Sequence, residues 1–420
     1  MSTTGIHLCV VTLGWAGFLT AGLAQGVLAP PPPSFSPNAP GVLAGGSDQV
    51  ANLGSALDSA GLRLLQWGPV HLRPHLLFRF SYSDGIQSQP GQPSTSTINE
   101  VSPGVLFEMG RHWTLDYTPT LRFFSNPSFR DTTDQSVSLN GATTYQDWSF
   151  GLSQRYVSSS TPLVETGSQT DQETYTTTVN AAYHVNTDLS LELGVNQNFR
   201  FVGAASQATN SLNDSLASWS TMDWLNYTFW PGFGAAIGVG FGYDDVSVGS
   251  DMTYEQLQGR INWRAGDKLS FSFNGGLEVR QFLDSAVPEL FNPLFGMSLQ
   301  YKLFEVTTIS LNANRTVSSS YFQNQVTETS SVGASIQQRL LGKLHLVVGG
   351  GYANTSYKAS SAVLPVQRED NNTFFDVRLT APFSRRGTLS VFYRASDNSS
   401  SKPGLTYSSV QMGLELGYQF

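Results

Sequence analysis

The chain has 420 residues and a net charge of −8, with 13% charged and 12% aromatic residues. A soluble domain averages about 25% charged residues; past residue 30 no run of about 20 apolar residues could form a membrane helix, and the aromatic and β-branched content argues against disorder. Apolar residues diluted by alternation fit a transmembrane β-barrel instead, and the absence of a basic run argues against a nucleic-acid partner.

Residues 1–24 read as a secretory signal peptide. An apolar stretch from Ile6 to Leu23 ends in Gly22-Leu23-Ala24, with small residues at the −3 and −1 positions of a cut after Ala24. Only the amino terminus and His7 supply positive charge ahead of it. A short membrane anchor is the alternative. Cys9 lies inside the apolar run, not after it, which disfavours a lipoprotein. It is the only cysteine, so the mature chain has neither a disulfide framework nor thiol chemistry.

Residues 25–66 form a Pro-rich periplasmic lead. Ala29 to Pro40 holds six prolines, an extended spacer. Val50, Leu53, Leu57, Ala60 and Leu64 then recur at helical spacing, with Ser47 or Asp48 as cap. A short amphipathic helix over 48–65 follows, resting on the barrel rim or acting as a plug in the lumen.

From Trp67 to Phe420 the period is 2. Val70, Leu72, Leu76, Phe78, Phe80 and Tyr82 alternate with His71, Arg73, His75, Arg79 and Ser81, and similar runs follow Leu189 and Leu269. One set must face something oily and the other something wet. Such segments number about eighteen, with sixteen to eighteen compatible with the pattern. They fall near 69–83, 97–109, 113–125, 134–145, 148–160, 172–185, 189–202, 215–229, 233–247, 252–264, 268–283, 293–303, 306–319, 326–340, 344–358, 370–383, 388–398 and 406–420. The fold class is therefore all-β, an antiparallel up-and-down barrel.

The connections alternate in length. Tight ones include Gly110 to His112, Gln146-Asp147, Pro231-Gly232 and Leu341 to Lys343. Longer polar ones include Asp84 to Ser96, Thr161 to Asp171 and Gly203 to Asp214. Short periplasmic turns and long extracellular loops mark an outer-membrane barrel, and a soluble sandwich has no reason to segregate them. Trp67, Trp113, Trp148, Trp230 and Trp263 stand by the tight turns, as a periplasmic aromatic girdle would. Tyr82, Tyr156, Tyr175, Phe201, Tyr243, Tyr254 and Phe282 form the expected outer ring.

With the apolar set turned to lipid, parity places Arg73, Arg79, Arg122, Arg155, Arg200, Arg260, Arg264, Arg280, Lys302, Arg339, Arg378 and Arg394 on the pore wall. Glu100, Glu108, Asp116, Glu192, Asp244, Glu278, Asp376 and Glu415 share that face. A charge facing lipid at the midplane would cost about 2–4 kcal/mol. The wall is then either a mildly cationic, anion-leaning pore or a ladder of Arg–carboxylate pairs. Gly234, Gly238, Gly240 and Gly242 make a thin inner wall with room for a loop or an inward element.

Enzyme chemistry finds no support. His71 and His75 are about 13 Å apart on a strand with Arg73 between them, and no histidine has metal-ligand spacing or an accompanying nucleophile. No cofactor motif appears.

The chain ends in Met412, Leu414, Leu416, Tyr418 and Phe420 in alternation. This resembles the terminal assembly signal of bacterial outer-membrane proteins, carried here by Leu416, Tyr418 and Phe420, although Glu415 stands where a glycine is usual. Residues 67–420 resemble the outer-membrane β-barrel porin family, in its second, loosely defined group. The resemblance is of architecture and terminal strand. It implies an outer-membrane location in a Gram-negative bacterium, contact with lipid and with the barrel-assembly machinery, and a channel for passive diffusion of small hydrophilic solutes. Polysaccharide export and a closed barrel acting through its loops are the alternatives. Oligomeric state has no reading in the sequence.

Overall fold

The computed structural model describes residues 27–28, 66–203, 212, 215–283, 285–361 and 368–420. The signal peptide and the helix expected over 48–65 lie outside the described residues. The strands are β1 (Gln66–Trp67), β2 (Val70–Gln87), β3 (Pro93–Met109), β4 (Trp113–Phe124), β5 (Thr132–Tyr145), β6 (Trp148–Leu163), β7 (Ser168–His184), β8 (Leu189–Val202), β9 (Ser215–Trp230), β10 (Phe233–Val246), β11 (Met252–Ala265), β12 (Leu269–Phe282), β13 (Leu290–Phe304), β14 (Thr307–Ser319), β15 (Gln325–Leu340), β16 (Leu344–Ala359), β17 (Arg368–Pro382), β18 (Gly387–Ser400) and β19 (Tyr407–Gln419).

β1 is a two-residue bridge onto the start of β2. From β2 onward each strand pairs antiparallel with the next in sequence. β19 then pairs with β2, from Val410 opposite Asp84 to Gln419 opposite His75. The ring of 18 strands is closed, so no edge is left with unpaired backbone. All eighteen segments read from the alternation are present, most within a few residues of their expected ends.

At one end of the barrel the connections span two to four residues and at the other four to twelve. The tight set uses positive φ where two-residue hairpins need it, as at Gln146 (φ 54°) and Gly232 (φ 91°). The long set is shorter than expected in places. β2 and β3 run on to Gln87 and back from Pro93, with Gly85 (φ 75°) absorbing a register shift between Ser83 and Ile86. β6 and β7 likewise extend until residues 164–167 remain between them.

Alternation sorts the faces. In β2, Phe78, Phe80 and Tyr82 are about two-fifths exposed on the outer surface, while Arg79, Ser81 and Ser83 are 4% exposed or less on the inside. Two expected members of the outer aromatic ring are on the inner face instead. Tyr254 shares a face with Gln256 and Gln258 and stacks over Arg280 at 4.5 Å. Phe282 is buried against Met252 and Val326. Both fall on the polar parity of their strands, and the pleat overrides their preference for an interface.

Several charges, most of them near strand ends, depart from the sorting, and Asp223 and Arg315 show how they are accommodated. Asp223 lies on the outer parity of β9, beside Leu225 and Tyr227. Its carboxylate accepts the Gly194 N–H at 3.3 Å, where the β8–β9 ladder skips a pair. Arg315 on β14 faces outward and donates to Ser330 at 3.0 Å and Glu328 at 3.1 Å. In each case a local hydrogen bond takes up the polar group that lipid would leave bare.

Candidate functional site: the barrel lumen and its mouth

The inner wall is a network of ion pairs. Arg79 donates to Glu415 at 2.9 Å and lies 3.5 Å from Glu100. Glu100 also accepts from Arg122 at 2.6 Å, and Arg122 reaches Asp134 at 2.7 Å. Arg378 pairs with the other oxygen of Glu415. On the far wall Arg280 bridges Glu278 at 2.9 Å and Asp244 at 3.1 Å, and Arg260 pairs with Glu192 at 2.6 Å. Arg73 meets Glu108 at 3.1 Å, and His75 lies 3.9 Å from Asp116. Asp376 stands opposite Arg394 in the β17–β18 ladder. Every inward residue named from parity is on a lumen-facing position of its strand, and most are drawn into pairs.

Glu415 shows why the terminal strand departs from the usual glycine. Its carboxylate links Arg79 on the first barrel strand to Arg378 on β17, so it fastens the seam where the barrel closes. Among the described residues Arg155, Arg264 and Arg339 have no carboxylate partner. Arg264, Lys302 and Arg339 sit within two residues of the turn ends of β11, β13 and β15. Cationic surplus is therefore gathered at the tight-turn end.

The glycines of β10 make room for side chains of neighbouring strands, not for a loop. A Cβ on Gly238 would stand 2.6 Å from the Trp224 ring, and one on Gly242 2.0 Å from Tyr254. Trp224 in turn stacks on Arg260 at 4.5 Å, and Tyr254 on Arg280. The backbone approach lets flat rings lie along the wall and cover its guanidinium groups.

At the long-loop end the mouth is crossed by residues 320–324, which connect β14 and β15. Ser320 Oγ donates to Glu165 at 2.5 Å, and the Tyr321 N–H donates to the same carboxylate at 2.8 Å. Glu165 belongs to the β6–β7 connection, on the far side of the ring. Tyr321 packs under Arg200 of β8 with the guanidinium 3.8 Å from its ring, and its hydroxyl donates to Gln172 of β7. Arg200 also donates to the Ser320 carbonyl at 2.8 Å. Phe322 bridges to Leu212 and sits 4.9 Å from Lys402 and 5.6 Å from Arg368. Burial, with the Arg368 charge adding to it, holds the Lys402 ammonium below its ordinary pKa. Leu163, Val202, Leu212 and Tyr321 form an apolar cluster beneath the strut. Alternation carries no information about this loop. The one signal was an aromatic pair, Tyr321-Phe322, in a connection otherwise built for water.

Trp113, Trp148, Trp230 and Trp263 are at the tight-turn ends of β4, β6, β9 and β11, and Trp67 is 83% exposed beside the start of β2. Tyr418 and Phe420 pack edge to face at 4.8 Å, and the Phe420 N–H donates to the Pro74 carbonyl at 2.9 Å, continuing the seam. Among the described residues no three His, Cys, Asp or Glu side chains converge as metal ligands would.

Residues 250–420 match the family model described as "Putative beta-barrel porin 2". That region is β11 to β19, half of the ring. Among solved structures the chain is similar to Pseudomonas aeruginosa OccK9 (OpdG), at 11% identity over 83% of this chain and 98% of that one, with a TM-score of 0.47. It is similar to Acinetobacter baumannii OccAB3 at 9% identity over 83% and 99%, with a TM-score of 0.45. Pseudomonas aeruginosa OccK2 (OpdF) in complex with glucuronate gives 11%, 83%, 98% and 0.44. No curated protein sequence matches the chain. A closed 18-stranded ring with an apolar outer face, segregated turns and loops, and a stretch that matches a porin family model is an outer-membrane β-barrel. Its setting is the bacterial outer membrane.

Proposed function

We propose that the chain is a passive channel for small hydrophilic solutes, narrowed at its extracellular mouth by the 320–324 strut. The observation that carries this reading is the joining of two opposite walls across the mouth of a closed ring wide enough for a channel. The wall below the strut supports it. Asn274, Gln258, Gln256 and Glu278 form a chain of amide and carboxylate groups at 2.7–2.9 Å, and such groups can exchange partners with a hydroxylated solute as it passes. In this reading the protein is a conduit and not an enzyme.

Selectivity in this reading is divided between the ends. The paired arginines of the upper wall are close to neutral in sum, and the strut selects by size. The unpaired cations of the turn end, Arg264 and Arg339 with Lys302 nearby, tip the pore toward anions. The five tryptophans anchor the turn end in the inner interface. Leu416, Tyr418 and Phe420 form the strand offered to the assembly machinery.

The test is permeation. Mature protein refolded into liposomes should admit small sugars in a swelling assay and exclude larger ones. If neither the native chain nor a Glu165→Ala variant admits any solute, and both run as folded, heat-modifiable barrels, the channel reading fails.

A further inference from the structure

Val27 is buried at 3% exposure in a cluster with Ile86, Ile98, Phe129 and Tyr407. This cluster is inside the barrel. Ile98 stands opposite Ser81, on the inner parity of Arg79, and Tyr407 has the parity of Gln411 and Glu415. It is also at the loop end. Ile86 and Tyr407 lie at the loop-side ends of β2 and β19, and Phe129 is in the β4–β5 loop. Two hydrogen bonds to its backbone, one from a side chain, fix the segment there. The Val27 N–H donates to the Pro162 carbonyl of β6 at 3.0 Å, and Gln411 Nε2 donates to the Val27 carbonyl at 2.8 Å. Leu28 packs against the same cluster.

The chain nevertheless enters the wall at the other end. Trp67 pairs with Val70 at the turn end of β2. From Val70 to Ile86 is sixteen steps along the strand, which at about 3.3 Å per step and a tilt of about 40° is roughly 40 Å of barrel height. With the leader cut after Ala24, as the sequence predicts, Val27 is the third residue of the mature protein. A polypeptide tip with two oriented hydrogen bonds to its backbone and an apolar seat is a bound ligand in all but its covalent attachment.

We propose that this lumen pocket is a docking site for the protein's own N-terminal tip, held through Val27 and Leu28, and that the docked tip occludes part of the extracellular mouth beside the 320–324 strut. Occlusion rests on the channel reading above. Docking does not.

Two measurements separate them. Cys9 is the only cysteine and lies ahead of the expected cut, so introduced pairs in the cut chain report cleanly. Val27→Cys is combined with Ile98→Cys, with Gln411→Cys, or with Asn262→Cys as a distant inward control. A short bifunctional thiol reagent is then applied to the folded protein in vesicles, and linked peptides are read by mass spectrometry. Links to 98 and 411 but not to 262 are expected. No link to either near partner, or equal linking to all three, overturns the docking.

Val27→Asp tests occlusion, because an unpaired carboxylate in the apolar seat lowers the docked fraction by about a hundredfold. Single-channel conductance should rise by about twofold or more, since the tip occupies cross-section at the narrow end. The linked 27–98 protein should conduct less than its unlinked form. Specific links with conductance unchanged in both would overturn occlusion and leave docking standing. Silence in every variant, with the links formed, would count against the channel reading instead.

Discussion

Removing the Glu165 carboxylate should open the mouth. In the folded protein that one side chain accepts from Ser320 Oγ at 2.5 Å and from the Tyr321 N–H at 2.8 Å, tying the strut to the opposite wall. Hydrogen bonds to a charged acceptor are each worth about 1.5–3 kcal/mol. The lower value suits a half-buried site at the mouth, so Glu165→Ala forfeits about 3 kcal/mol of docking. At about 1.4 kcal/mol per decade, the ratio of docked to released strut falls by about a hundredfold. Arg200 and Gln172 still hold Tyr321, so Glu165→Ala/Arg200→Ala should release the strut more fully. Glu165→Gln keeps an acceptor in place and should fall between Ala and wild type. The assay is planar-bilayer conductance together with swelling rates for sugars of graded size. Both conductance and the largest sugar admitted should rise in the order wild type, Gln, Ala, double variant. Equal conductance and equal size limits across all four, with each running as a folded barrel, would show that residues 320–324 do not form the narrow point.

Three other substitutions probe the wall. Arg79→Met leaves Glu100 with Arg122 alone and Glu415 with Arg378 alone, so the loss should be about 1.5–3 kcal/mol, that of a hydrogen bond to a charged group, and less than a fully broken buried pair; urea unfolding in vesicles should show it, and a loss under about 0.5 kcal/mol would mean that the seam does not depend on this residue. Arg264→Glu combined with Arg339→Glu reverses the charge of the turn end, so the reversal potential in a salt gradient should move from anion toward cation preference. An unmoved potential would put selectivity elsewhere. Gly242→Ala sets a methyl group 2.0 Å from Tyr254; displacing the ring from Arg280 should cost about 1–3 kcal/mol in the same unfolding assay, and a neutral result would mean that the ring swings away freely.

The ring was legible because a closed barrel asks one thing of most residues, to be apolar or polar on alternate sides. Arg79, Glu192 and Glu415 could be placed on the inner wall by counting from a neighbouring Phe or Leu, since any slip of one residue would turn every Phe of that strand into the lumen. The same rule misplaced nothing in β2 or β8. Tyr254 and Phe282 were misread when they were judged by type and height and not by parity. An aromatic near a loop end suits an interface in general, but on an even position of β11 or β12 it has only the lumen to enter, where Gly242 and Met252 make space for it. Asp223 and Arg315 are the opposite case, polar groups on the outer parity. Their tolerance comes from a backbone N–H and a facing Glu–Ser pair that alternation cannot show.

Pairing across the ring is a different kind of information. Arg79 with Glu415 joins residues 336 apart, and Glu165 with Tyr321 joins residues 156 apart. The first was half visible, since closure must bring the first and last strands together and both side chains have inner parity. The second was not, because a loop has no parity and the direction in which it folds depends on what the far wall offers. Here that is a carboxylate, a guanidinium and an apolar floor made of Leu163, Val202 and Leu212. In the proposed channel, function resides where the repeat stops: eighteen strands make an aperture of fixed width, and a five-residue connection is proposed to set its working size. If the Glu165 series leaves the size limit unchanged while Val27→Asp raises conductance, the narrow point belongs to the N-terminal tip and not to the strut.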